Sequence, residues 1–374
     1  MRGHDIIVIG TSAGGIGALQ EIFRGLPADL PASVFVVMHL TPHVPSLLPR
    51  ILTNAGPLHA QAVTGPTKFR PGQIYVASPD HHLILDRTIV TANRGPRENW
   101  NRPAVDVLFR SAARAHGPHV IGVVLTGFLD DGTAGLAAIK REGGLTVVQD
   151  PDQALFPDMP INAIQTVQVD HVVPLSQIAP TLMHLVEKPV GKRRSRGMSE
   201  EVAIETAIAK ETVRSMKGRA ALDKVGHPST FTCPECQGPL WELRDGEFTR
   251  YRCQVGHTFS ARSMLSAQQD VVERALWVAL GAIESRVALW RRISKRMDSP
   301  HLREQSRFYR SKEEDALRDL EELRAILTRN GDRVRRARGR RGGSPPRASA
   351  ASAGSAARRR PVRPSRRSQR SPRT

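Results

Sequence analysis

The sequence predicts an α/β protein whose main domain is a doubly wound, mostly parallel sheet of the Rossmann-like three-layer kind. Three observations predict it. Short, continuous Val/Ile runs recur between Asp5 and Leu175, as expected of parallel strands buried on both faces. Helix-like stretches bounded by glycine separate several of them, IGALQEIFRGL (16–26) and TAGLAAIKREG (133–143) among them, giving the alternation of βαβ units. The first run passes directly into a glycine-rich turn, IIVIGTSAGGIGAL (6–19), the usual start of such a sheet.

In order, the expected strands are DIIVIG (5–10), SVFVVMHL (33–40), GQIYVAS (72–78), HLILD (82–86), HVIGVVLTG (119–127), LTVVQD (145–150) and HVVPL (171–175), which set a domain over 1–187. The basic stretch KPVGKRRSRG (188–197) breaks the apolar pattern as a linker would, and the helical MSEEVAIETAIAKETVRSM (198–216) follows it within 188–230. A small cysteine-containing unit occupies 231–262. In the helical region 263–331, two amphipathic helices are expected over 264–297 and 303–330, the first with Leu276, Leu280, Ile283, Val287 and Trp290 along one face. Charge pairs such as Glu314–Arg318 mark the exposed side. From 332 to 374 an Arg/Ser/Pro/Ala tail has almost nothing to bury and is predicted disordered.

Charge divides along the same lines. The chain of 374 residues has 55 Lys plus Arg against 36 Asp plus Glu, a net +19. Fifteen arginines and no acid lie from Arg333 to Thr374, whereas 1–187 is net −2 and 188–332 net +6. The basic excess therefore describes the tail. Without an aromatic residue to stack bases, the tail predicts only weak, non-specific nucleic acid binding through counterion release. Three cysteines are too few for a disulfide scaffold, and no apolar run approaches the ~18–20 residues of a membrane span. The N-terminal MRGHDIIVIG does not resemble a signal peptide. A cytoplasmic protein with no membrane insertion is expected.

The glycine turn has three readings. As a dinucleotide fingerprint, Gly10, Ser12 and Gly15 place Ser where the second Gly belongs, and the second strand ends in His39 without the expected acid. As a nucleophile elbow, Gly10-Thr11-Ser12-Ala13-Gly14 matches G-x-S-x-G, although an α/β-hydrolase places several strands before its elbow. As plain local structure, Ser12 is an N-cap. The other strand ends favour chemistry: His39 closes the second strand, and Asp130 and Asp131 follow the long run 119–127. A serine needs an imidazole to take its proton, and the imidazole needs a carboxylate to fix its tautomer.

These segments resemble the catalytic domain of the chemotaxis protein-glutamate methylesterases. The resemblance rests on IGTSAGGIGAL (9–19), FVVMHLTP (35–42), RPGQIYVASPDHHLIL (70–85), RPAVDVLFRSAA (102–113), GVVLTGFLDDGTAGL (122–136), GGLTVVQDPDQALFPDMPINAI (143–164) and VDHVVPL (169–175), in family order. It implies a triad of Ser12, His39 and Asp131, with backbone amides near Ala13 and Phe128 as oxyanion donors. It also implies hydrolysis of glutamyl methyl esters on a methylated chemoreceptor-like protein, possible glutamine deamidation, and no cofactor for catalysis. Phe128-Leu129 stands where the family has Met-Gly, and Leu40-Thr41-Pro42 where many members have Met-Pro. The chain starts at its first strand, so no phospho-accepting receiver domain is expected ahead of it. His43, His81 and His82 are expected in solvated loops.

All three cysteines fall within FTCPECQGPLWELRDGEFTRYRCQVGHTFS (231–260). Cys233 and Cys236 form C-x-x-C, Cys253 and His257 form C-x-x-x-H, and Asp245-Gly246 turns a hairpin between the pairs. Four soft ligands in two pairs predict a closed, structural zinc site, and a unit this small would need such a staple. A redox C-x-x-C leaves the second pair unexplained. Similar CPEC…RC-x-x-GH units accompany methylesterase-like domains. The helical region is a candidate surface for signalling partners. The alternatives to an esterase are a non-catalytic signalling scaffold and a nucleic-acid-associated regulator using the zinc unit and basic tail.

Overall fold

The computed structural model describes residues 3–42, 44–190, 200–209, 222–245, 248–296 and 302–341. The chain divides into two compact units, Met1–Ala275 and Leu276–Thr374. The first begins with strands β1 (Ile6–Thr11), β2 (Ser33–Met38), β3 (His59–Val63), β4 (Thr67–Lys68), β5 (Gln73–Ala77), β6 (His82–Leu85), β7 (Ile89–Asn93), β8 (Val120–Val124), β9 (Leu145–Gln149) and β10 (His171–Val173). Helices α1 (Gly15–Arg24), α2 (Leu48–Ala55), α3 (Val105–His116), α4 (Thr133–Arg141), α5 (Asp158–Thr166) and α6 (Leu175–Glu187) connect or follow them. Seven strands form one sheet in the order β10-β9-β8-β1-β2-β5-β3, and every neighbouring pair is parallel.

Burial on both faces explains the unbroken apolar runs. Ile7 and Ile9 of β1 pack with Leu19, Leu52 and Leu182 from α1, α2 and α6. Ile6 and Val8 point the other way, into a core with Leu108, Leu136 and Met159 from α3, α4 and α5. At about 1.5–3 kcal/mol per buried aliphatic side chain, each strand is committed on both sides and the doubly wound arrangement follows. Because the chain leaves β1 towards β2 and later returns to place β8 on β1's other side, strand order reverses at β1, where open α/β sheets carry their sites.

Four strands of 1–187 depart from the sequence reading, which has no counterpart of β4 or β7. HLILD does form β6, but in a separate antiparallel sheet of order β4-β7-β6; four consecutive buried residues look alike in either setting. The edge strand β3 was not anticipated, because of its five residues HAQAV only Ala60 and Val63 are buried.

Beyond α7 (Glu200–Ala209), an antiparallel sheet of order β11-β12-β13-β14 comprises β11 (Gly226–Thr232), β12 (Pro239–Asp245), β13 (Phe248–Cys253) and β14 (Thr258–Ser260). The expected hairpin is present, with Asp245 paired to Phe248. A buried ionic network ties this sheet to α3 and α7. Arg110 reaches Glu98 at 2.5 Å, Arg252 reaches Glu98 at 2.9 Å and Glu205 at 3.3 Å, and Arg250 grips Glu205 at 2.7 and 3.0 Å. None of these five side chains is more than 4% exposed.

Helix α8 (Ala261–Arg296) starts in the first unit and continues in the second, which also contains α9 (Arg303–Arg341). Within the second unit the expected helical hairpin buries Leu280, Val287, Ala316 and Leu320 and sets the Trp290 ring 5.6 Å from that of Tyr309. Arg291–Glu313 and Arg324–Glu284 pair across it. Arg318 bonds Asp315 and not Glu314, one turn back at i−3. Helix α9 also runs through Gly331 to Arg341, into the stretch read as tail. Arginine is a good helix former, and the two glycines it passes, Gly331 and Gly339, cost only about 1 kcal/mol each. Residues 342–374 of the tail, 191–199 and 210–221 of the linker region, and His43 lie outside the described residues. Among the described residues no helix is long and apolar enough to cross a membrane.

Removing one of the ionic network's two carboxylates should leave three buried guanidiniums with a single counter-charge. Glu205→Met is expected to lower stability by about 3–5 kcal/mol, read as a fall in the urea midpoint of the full chain. A loss below about 1 kcal/mol, the scale of an exposed pair, would show that the network is hydrated.

Candidate active site

Parallel pairing of β1 with β2 matches Thr11 to Met38, so the next residues, Ser12 and His39, leave the sheet side by side. The His39 amide donates to Thr11 O, and the Ser12 amide donates to Thr126 O beyond β8. The loop after β8 then brings Asp131 back under the imidazole. His39 Nδ1 lies 3.0 Å from Ser12 Oγ and Nε2 lies 2.7 Å from Asp131 Oδ2. The imidazole side chain is 15% exposed and the carboxylate 2%, so the serine end of the relay meets solvent and the acid end does not. With Asp131 ionised, Nε2–H donates to it and the Nδ1 lone pair faces Ser12. This arrangement can make a serine nucleophilic.

Turn geometry fixes the nucleophile. Gly14 caps α1 with φ of 78°, a left-handed conformation that disfavours side chains. Across from it, a Cβ on Gly127 would fall 2.8 Å from Ser12 Cβ and 2.1 Å from Met159 Sδ, so only glycine lets the β8 loop pass this close. The Gly127 amide is taken by Phe156 O at 2.9 Å. Ala13 therefore follows Ser12 in the turn, and Phe128 follows the closest approach of the other loop. The Phe128 ring rests on Phe156 with centroids 4.4 Å apart. Phe128, Ile16 and Leu155 are exposed apolar side chains.

Asp131 is held by donors that the sequence reading did not assign. The amides of Val105 and Asp106, in the first turn of α3, donate to it at 2.8 and 3.2 Å, and Asn99 Nδ2 lies 3.3 Å from Oδ1. A helix N-terminus favours negative charge at that place. The favour is returned, since Asp106 Oδ1 accepts from the Gly132 and Gly135 amides at the start of α4. Burial works against ionisation of Asp131, but the His39 hydrogen bond and charge and the two α3 amides outweigh it and hold its pKa below the usual carboxylate value. Asp106 goes the other way, pushed well up by burial and by the charge of Asp131. Asp130 faces elsewhere and accepts from Ser260 Oγ at 2.8 Å; burial lifts its pKa to about 6 against that hydrogen bond.

The metal candidates converge. One ligand atom from each of Cys233, Cys236, Cys253 and His257 lies within 4.8 Å of all the others. Cys236 and Cys253 sulfurs are 3.6 Å apart, and His257 Nδ1 is 3.7 and 3.5 Å from the sulfurs of Cys233 and Cys253. A tetrahedral zinc needs sulfur–sulfur edges of about 3.8 Å and sulfur–nitrogen edges of about 3.6 Å. A disulfide would need about 2.0 Å. Glu235 sits 3.5 Å from His257 Nε2 and orients the ring from behind. The residues fit zinc.

His82 corrects the expectation of a solvated loop. It is wholly buried, accepting from the Ala104 amide at Nδ1 and meeting Pro96 O at Nε2, and burial lowers its pKa. It pins the segment entering α3. His81 is part-exposed and bonds Pro79 O.

Asp130 predicts a measurable pH effect. Its folded pKa lies above the ordinary 3.8, so the native state holds that proton more tightly than the unfolded chain. Stability from this group is present below about pH 4 and is lost as pH rises through about 6. Urea titrations of wild type and Asp130→Asn at pH 4 and pH 7 should differ by about 3 kcal/mol in the variant's favour at the higher pH, from 1.36 kcal/mol per unit. A pH-independent difference would place Asp130 in a hydrated environment.

The family model described as CheB methylesterase matches residues 7–182. A putative protein-glutamate methylesterase/protein-glutamine glutaminase of Leptospira interrogans is 36% identical over 191 residues, 51% of this chain and 99% of its own length. Protein-glutamate methylesterase/protein-glutamine glutaminase 4 of Anaeromyxobacter dehalogenans is 37% identical over 194 residues, 50% of this chain and 53% of that relative, so the chain spans about half of it. The crystal structure of the Thermotoga maritima CheB methylesterase catalytic domain is 32% identical, covers 50% of this chain and 100% of that one, and gives a TM-score of 0.47. With a relative matched over nearly its whole length and the family model on the parallel-sheet domain, the chain belongs to the CheB methylesterase family.

Proposed function

We propose that this protein hydrolyses glutamyl methyl esters on a methylated chemoreceptor-like protein to glutamate and methanol, and that the same site can deamidate glutamine. The observation that carries the reading is the continuous Ser12–His39–Asp131 relay at the carboxyl ends of three adjacent strands. Names of relatives supply the substrate class. Ser12 Oγ attacks the ester carbonyl while His39 Nδ1 takes its proton. The developing oxyanion is received by the Ala13 and Phe128 amides. As the carbon–oxygen bond breaks, His39 returns the proton to the methoxy oxygen and methanol leaves. Water, deprotonated by His39, then releases the glutamyl side chain and restores Ser12. Asp131 holds the Nε2–H tautomer and balances the imidazolium. The exposed apolar side chains of Ile16, Phe128 and Leu155 would bed the substrate segment.

Cys233, Cys236, Cys253 and His257 are the residues that would hold a structural zinc, which has no open position for chemistry. We place the protein in the cytoplasm, where its thiols stay reduced. The hairpin of the second unit is a surface for signalling partners, and the arginine tail binds nucleic acid only loosely.

Methanol release from a methylated receptor fragment should fall by about 10⁴–10⁶-fold in Ser12→Ala and about 10⁴-fold in Asp131→Asn, with the fold intact by circular dichroism. Equal release from wild type and Ser12→Ala would sink the esterase reading. Elemental analysis of purified chain should find equimolar zinc, sharply reduced in Cys253→Ser; unchanged content would remove the metal assignment.

A further inference from the structure

The Cys/His sheet meets the loop behind the triad. Thr258, the residue after ligand His257, accepts from the Asn99 amide at 2.7 Å and donates its own amide to Arg97 O at 3.2 Å. Arg252, the residue before ligand Cys253, holds Glu98. Between these anchors Asn99 is 5% exposed and has φ of 49°, a left-handed conformation that asparagine tolerates better than most residues. Its Oδ1 accepts from the Ser260 amide at 3.1 Å and from Ser263 Oγ at 2.9 Å. Both serines follow directly from the Cys/His unit, at the end of β14 and the start of α8. Its Nδ2 is shared between Asp106 Oδ2 at 3.1 Å and Asp131 Oδ1 at 3.3 Å.

One carboxamide therefore joins the metal-ligand sheet to the acid of the relay. With its acceptor end fixed by two donors, the amide cannot flip, and Nδ2 must face the two carboxylates. Asp131 Oδ1 is then tied down by Asn99 and the Asp106 amide, while Oδ2 accepts from His39 and the Val105 amide. We propose that Asn99 is a positioning residue for Asp131, and that the Cys/His unit, by gripping Asn99 through Thr258, Ser260 and Ser263, makes triad alignment depend on an occupied metal site. The proposal rests on the esterase reading above and adds its control: conditions that strip or oxidise the metal ligands lower turnover without touching Ser12 or His39.

The test uses the full chain, zinc-loaded or chelator-treated, as wild type, Asn99→Gly and Ser263→Ala. Glycine accepts the left-handed backbone, so Asn99→Gly deletes the carboxamide without strain, and Ser263→Ala removes only one hydroxyl from its grip. Methanol release from a methylated receptor fragment gives kcat and KM; the downfield proton resonance of the His39 N–H that meets Asp131 gives alignment independently of turnover. Asn99→Gly should lower kcat by about 10–100-fold with KM nearly unchanged and shift or broaden the His39 proton, with Ser263→Ala a smaller change in the same sense. Zinc removal should lower wild-type kcat by a similar factor and add little to Asn99→Gly, because both break one connection. A wild-type kcat and resonance in Asn99→Gly, or losses from chelation and Asn99→Gly that simply multiply, would overturn the proposal. If wild type releases no methanol, the esterase reading fails, and the His39 resonance still decides: unchanged in Asn99→Gly it rejects the positioning role, and changed it upholds it.

Discussion

A carboxylate that must stay ionised out of contact with water is the constraint on which this site is built. At 2% exposure, Asp131 has lost most of its hydration and recovers it from N–H donors: His39 Nε2, the Val105 and Asp106 amides, and Asn99 Nδ2. Charge-assisted hydrogen bonds of this kind are about twice as strong as neutral ones, which is how an acid can be both buried and charged. Two donors belong to the first turn of α3, so the acid is only as well placed as the start of that helix. His82 and the Arg102–Asp80 pair fix that start from the preceding segment.

Reciprocal capping turns one carboxylate into an arrangement of two helices. Asp131 lies just before α4 and caps α3, while Asp106 lies within α3 and caps α4. Neither helix can slide without breaking the other's cap. Two carboxylates so close cannot both carry charge cheaply. The imidazole breaks the tie, keeping Asp131 low while Asp106 is driven up. Separated acid strengths of this sort accompany divided roles: one acid balances the imidazole, and the other serves the frame.

What the sequence discloses is what has a period or a strand end. Strands buried on both faces spell continuous Val/Ile runs, and Ser12, His39 and Asp131 are visible because parallel sheets put their chemistry at carboxyl ends. The choice of Asp131 over its neighbour came from resemblance; the structure supplies the reason, since Asp131 faces His39 and α3 while Asp130 faces Ser260. The cysteine pairs announce themselves by spacing. Asn99, Glu98, Glu205, Arg250 and Arg252 do not. Their partners lie up to 164 residues away along the chain, and isolated charged or amide residues in a polar segment look solvated. Nothing local distinguishes an asparagine in RENWNRP that bonds a buried carboxylate from one that faces water.

The ionic network answers a related question, which is why charges are buried where apolar side chains would pack more cheaply. Buried pairs seldom add net stability over a hydrophobic replacement, but breaking them costs several kcal/mol. An apolar contact tolerates a shift of register; five buried ions do not, because a displaced sheet would carry Arg250 and Arg252 away from Glu98 and Glu205 and strand both guanidiniums without a counter-charge. Arg110 Nη1 and Arg252 Nε lack hydrogen-bond partners among the described residues, so the network is not optimised for energy. It selects one docking geometry, and in that geometry Thr258 meets Asn99. The placement of Asp131 is thereby tied, through Asn99, to residues that do not belong to the parallel sheet.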